Sequence, residues 1–103
     1  MDRLVKLNEM LATSPEDCFL MHALALEYLK RGEIAQALSY FEKVITTNSH
    51  YIGTYYHLAK TYEKTNQLAK AIDAYEKGIQ IATALRDQHA KNELQMALEE
   101  ITE

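Results

Sequence analysis

Leu24, Ala25, Tyr28, Lys30, Ala35, Ala37, Glu42, Lys43 and Ile45 recur 34 positions later as Leu58, Ala59, Tyr62, Lys64, Ala69, Ala71, Glu76, Lys77 and Ile79. Ile34 with Leu68, Leu38 with Ile72 and Phe41 with Tyr75 are near-matches at the same offset. A fixed period of this length restricts the chain to architectures in which one small unit is copied and stacked on itself. The unit is helical, because the chain has one proline, three glycines and no useful β-alternating stretch. The expected class is all-α with six helices.

Each copy carries its own stop. Gly32 falls where a helix needs a left-handed residue to end, and its counterpart one period on is Asn66, the next-best residue for that conformation. Two different residues thus meet one backbone demand. Around these stops we expect helices at about 2–12, 15–31, 33–46, 51–64, 67–85 and 88–101. Ser14 reads as the N-cap of the second, with Pro15 at its first position and Glu16 and Asp17 in its first turn. Inward residues should include Leu4, Leu7, Met10 and Leu11, then Met21, Leu24, Ala25 and Tyr28. The third helix should bury Ile34, Ala37, Leu38, Phe41, Val44 and Ile45, and the fifth Leu68, Ala71, Ile72, Tyr75 and Ile79. Ala25 and Ala37 are small because paired helices approach closely there, and larger side chains would overpack the seam at about 1 to 3 kcal/mol.

With 103 residues the chain is expected to form one domain. A net charge of −4 without a Lys/Arg cluster argues against a nucleic-acid surface. No apolar run approaches the ~20 residues that cross a bilayer, and MDRLVKLNEML does not read as a signal peptide. Neither a membrane nor a nucleic acid is therefore an expected partner, and the cytoplasm is the expected location. The single cysteine, Cys18, cannot form an internal disulfide, which agrees with a reducing compartment.

Helix pairs at this period, with small residues at the eighth and twentieth places and aromatics at the eleventh and twenty-fourth, resemble the tetratricopeptide repeat. Leu24, Ala25, Tyr28, Gly32, Ala37 and Phe41 carry the likeness in the unit 18–51, and Leu58, Ala59, Tyr62, Ala71 and Tyr75 in the unit 52–85. The resemblance implies a right-handed superhelical α-solenoid of antiparallel helix pairs. Residues 2–14 look like the second helix of a preceding repeat, and residues 87–101 like a capping helix whose apolar stripe is displaced by about one residue. There are departures: Ser49 and Thr83 stand where the family often has proline, and Met21 replaces the aromatic present as Tyr55. Gly78 stands where alanine is common, an intrinsic penalty of about 1 kcal/mol.

Catalytic and metal chemistry find little support. Cys18 lies in the first turn of a helix, where the dipole can lower a thiol pKa, but no catalytic signature surrounds it. His22 is four residues away, and a zinc site needs two further ligands. There is no phosphate loop, nucleophile elbow or HExxH, so neither an enzyme nor a cofactor is expected. Glu9, Glu16 and Asp17 read as solvated charges, and Glu27–Arg31 and Asp73–Lys77 as helix-surface pairs.

Binding is what the resemblance implies. The family holds peptides on a concave face made by successive first helices. Carried across, that face comprises Phe19, His22, Leu26, Leu29 and Lys30 in the first unit and Gly53, Tyr56, Lys60, Glu63 and Lys64 in the second. The last helix would add Ala90, Leu94 and Ala97. Gly53 would leave room beside Tyr56, and the lysines would steer acidic flanks of a largely apolar peptide or helix. The lesser alternative is that some of these leucines are core, covered by neighbouring helices. The lysine and asparagine clamp with which relatives grip acidic chaperone tails is absent, its places holding His22, Leu26, His57, Asp87 and Lys91. The expected function is a non-catalytic protein-binding module, with a self-assembling homodimer as the alternative.

Overall fold

The computed structural model describes residues 2–103. They form α1 (Arg3–Thr13), α2 (Cys18–Lys30), α3 (Ile34–Thr47), α4 (Gly53–Lys64), α5 (Leu68–Leu85) and α6 (Gln88–Thr102). No strand occurs among the described residues. The chain divides into two compact units, one up to Asn48 and the other from Ser49 to Glu103.

In the first unit α1 and α3 both pack on α2. Leu7, Leu20, Ala23 and Leu24 form a buried cluster against which Leu4, Leu11, Tyr28 and Tyr40 are partly buried. Met10, expected inward, is exposed instead. The start of α2 also differs from expectation. Ser14 closes α1, while Asp17 caps α2 by accepting a hydrogen bond from the Leu20 N–H at 3.1 Å. An Asp two residues past the proline competes with Ser14 for the cap, and its carboxylate is the stronger acceptor at the positive end of the dipole.

Glu27 is not a simple surface partner of Arg31. Only 8% of it is exposed. Arg31 Nε lies 3.1 Å and Arg3 Nε 3.5 Å from its carboxylate, so a nearly buried charge is compensated by guanidiniums from α1 and from the end of α2. Arg31 also donates to Asp2, the cap of α1, and holds that carboxyl below the usual range. These ion pairs tie the start of α1 to α2, beside the apolar cluster that already joins the two helices.

The α2 turn realises the stop expected at Gly32. Its φ is +77°, the Glu33 N–H donates to the Tyr28 carbonyl at 2.9 Å, and the Gly32 N–H donates to that of Leu29 at 3.1 Å. In α4, Asn66 adopts φ +58°, and Gln67 and Asn66 donate to Tyr62 and Glu63 at 2.9 and 3.1 Å. Both ends are Schellman motifs, in which the left-handed residue satisfies carbonyls that the helix leaves open.

A third such turn ends α5, where Arg86 has φ +58° and Asp87 donates to the Ala82 carbonyl at 2.9 Å. Arginine has none of the glycine or asparagine tolerance for this conformation. Arg86→Gly should raise stability by about 0.5 kcal/mol, the relief of strain exceeding the added entropy of the unfolded glycine. Urea unfolding of the two proteins checks this, and a lower midpoint would count against it.

In the second unit α4 and α6 both pack on α5. Leu58, Ala59, Ala71, Tyr75, Ala82 and Leu94 are buried. Leu68, expected inward, is exposed. The Tyr55 hydroxyl donates to the Ser49 carbonyl at 2.7 Å, and burial pushes that phenol up. Burial also raises Tyr75, whose hydroxyl donates to Glu63. One period earlier the matching residues are Leu29 and Phe41, so hydroxyl and carboxylate arrive together in the second copy. A buried donor requires its acceptor.

His57 in α4 is half-buried, and burial lowers its pKa below 6.5 against the opposing influence of Glu93. Between the folded and unfolded values the unfolded chain binds more protons, so this contribution is complete above 6.5 and is lost as pH falls through the folded value. The melting temperature should therefore drop on acidification below about pH 6.5, with a shallower slope over pH 7 to 5.5 for His57→Gln. Equal slopes would refute the assignment.

Candidate functional site

Ala25 and Ala37, and Ala59 and Ala71 one period on, have no exposed surface. With these small residues spent on the helix-pair interiors, the residues on the remaining faces of α2 and α4 are the ones available to a ligand.

On α2, Phe19 is 66% exposed, a large apolar ring left in solvent. Lys30 is also exposed, while His22, Leu26 and Leu29 are half-buried. The His22 ring lies 5.7 Å from that of Phe41, tilted by 59°, so it belongs partly to the packing of α2 on α3. Cys18 and His22 do not converge on a ligand. The Cys18 thiol faces the Val44 carbonyl at 3.8 Å, and burial, followed by Asp17 and Glu16, raises its pKa. Cys18 is thus a partly buried thiol whose surroundings disfavour the thiolate. Among the described residues no cluster of three or more His, Cys, Asp or Glu could hold a metal.

In the second unit Tyr56 and Lys60 on α4 line a cleft of about 380 Å³. Lys60 Nζ lies 5.7 Å from the Tyr56 ring centroid and 3.8 Å from Glu63, so its charge is already engaged. Lys64 is exposed at the last position of α4, as Lys30 is in α2, and both complement the negative end of their helix dipole. Gly53 opens α4 facing solvent. A Cβ there would meet nothing within 4 Å, so its missing side chain is not what makes room near Tyr56.

The opposite wall of the cleft comes from α6, and here the assignment from sequence needs correcting. Leu94 is 1% exposed and Ala97 is buried, because the displaced apolar stripe is the stripe that packs inward. Ala97 reaches the floor of the cleft, but Leu94 belongs to the core and presents nothing to a ligand. The side chains lining the cleft are His89, Asn92, Glu93, Met96 and Glu100. Four of these stand one period after Tyr55, Leu58, Ala59 and Tyr62. Polar residues at three of these places, His89, Asn92 and Glu93, were the signal that this face is uncovered.

Helix pairs each joined by a Schellman turn, with alanines sealed inside the pairs, define a helical repeat protein of the tetratricopeptide type. Residues 1–78 match the model of the family described as anaphase-promoting complex, cyclosome, subunit 3, and the chain belongs to that family. It is 25% identical over 95 residues to a TPR repeat-containing protein of Pseudomonas aeruginosa, covering 92% of this chain and 90% of that one. The crystal structure of a tetratricopeptide repeat domain protein from Salinibacter ruber matches with a TM-score of 0.78 at 41% identity, covering 82% of this chain and 94% of that one. A solution structure of a Bordetella parapertussis protein matches with a TM-score of 0.84 at 25% identity, covering 98% and 88%. Proteins of this fold are generally non-catalytic protein–protein interaction modules. No helix among the described residues is long and apolar enough to cross a membrane.

Proposed function

We propose that this protein is a non-catalytic interaction module that holds a peptide or helix of a partner protein on the exposed faces of its repeat-initial helices. We take α2 with α3 and α4 with α5 as the two repeats, with α6 as the capping helix. The ligand-facing residues are Phe19, His22, Leu26, Leu29 and Lys30 on α2, and Gly53, Tyr56, Lys60 and Lys64 on α4. The observation that carries this reading is Phe19, whose aromatic ring lies in solvent on a helix whose other large apolar residues are at least half covered. A ring in that position is an anchor of the kind helix and peptide grooves use.

The test is capture from native lysate with the immobilised protein, compared with Phe19→Asp combined with Tyr56→Ala. Both sites lie outside the buried core, so far-ultraviolet circular dichroism should be unchanged. Partners retained by the parent should be lost from the variant. Partners that bind both equally would exclude these faces.

A further inference from the structure

The second-unit cleft differs in charge from what lysine steering would need. Lys60 is its one full positive charge, and Glu63 and the Tyr56 ring already occupy it. On the facing helix Glu93 and Glu100 are exposed, Glu93 acting electrostatically on the half-buried His57 and Glu100 on Tyr75. Between them is Met96, 65% exposed. Residues seven apart lie on one face of a helix about 10 Å apart along its axis, so the two carboxylates flank the thioether.

We infer that this cleft takes a basic amphipathic helix, with two Lys or Arg side chains one heptad apart reaching Glu93 and Glu100 and an apolar residue between them resting on Met96 and Tyr56. The basis is complementarity. Two exposed carboxylates favour two cations, and the long stems of lysine or arginine cover apolar surface while their heads reach the acids. Methionine suits such a surface because its flexible, polarizable side chain adapts to the bound residue. An acidic segment would instead meet Glu93 and Glu100, with only Lys60, which already faces Glu63, to receive it.

This inference rests on the interaction-module reading and names the partner's chemistry. The probe is an alanine-based helical peptide with lysines seven residues apart and leucine midway, against the same peptide with glutamates for lysines. Binding to the whole protein is followed by fluorescence anisotropy at 50 and 300 mM salt. The lysine peptide should bind about tenfold more tightly at low salt and lose most of that advantage at high salt. Glu93→Gln with Glu100→Gln should remove the advantage, whereas Met96→Ser should weaken both peptides, because the leucine is common to them. Equal binding of both peptides, or an unchanged preference in the double glutamine variant, overturns the inference. If that happens while lysate partners are still lost with Phe19→Asp and Tyr56→Ala, the module reading stands without it. If those partners are retained as well, both fall.

Discussion

Gly78→Ala should lower stability by about 1 to 2 kcal/mol, although alanine is the better helix former by about 1 kcal/mol. A methyl at position 78 would lie 2.8 Å from Tyr55 Cβ and 2.9 Å from Leu94 Cδ1. The leucine methyl can move aside, but Tyr55 Cβ is fixed to the α4 backbone, so relief requires the helix itself to shift. Overpacking of this kind costs about 1 to 3 kcal/mol, more than the propensity returns. Val44 stands one period earlier and is fully buried, with Met21 at the place of Tyr55. The second copy thus combines a bulkier residue on its first helix with a smaller one on its second. Urea unfolding with an unchanged m-value is the measurement, and a raised midpoint would show that propensity dominates.

This glycine illustrates what a sequence of this kind withholds. The intrinsic penalty at Gly78 follows from residue type, whereas its compensation depends on Tyr55 and Leu94, 23 positions before it and 16 after. The repeat period, the six helices and the stops at Gly32 and Asn66 were legible, because they follow from local backbone demands that each copy states for itself. Arg86 was not, since arginine gives no sign of a left-handed turn and the surrounding bonds impose it. Glu27 read as a surface pair because its spacing to Arg31 is helical, while Arg3, which also faces it, is 24 residues away.

On α2 and α4 the period transfers positions directly from one copy to the next, and the places of Phe19, Lys30, Tyr56 and Lys64 outside the buried core follow from it. On α6 the candidate site was misread by one residue. An apolar stripe marks the face that packs, and taking Leu94 for a ligand contact placed the core on the ligand side. The residues that do line the cleft are polar or charged apart from Met96 and Ala97, and such residues look like any solvated helix surface until the facing wall of α4 is known.

Leu94→Ala separates these two assignments. As a core residue with 1% exposure beside Gly78, Leu94 should cost about 3 kcal/mol when truncated, because apolar transfer is lost and the space left is only partly refilled. A ligand-facing leucine would change stability by no more than about 0.5 kcal/mol and act on binding instead. The double variant Gly78→Ala with Leu94→Ala sharpens the test. The methyl added at position 78 meets Leu94 Cδ1 in the parent but not after truncation, and it occupies part of the space that truncation opens. The two losses should therefore sum to more than the double variant shows, by about 1 kcal/mol, with the remainder set by the contact to Tyr55. Strict additivity would mean that α5 and α6 do not meet at this point, and with it the account of why the second copy needs a glycine there would fail.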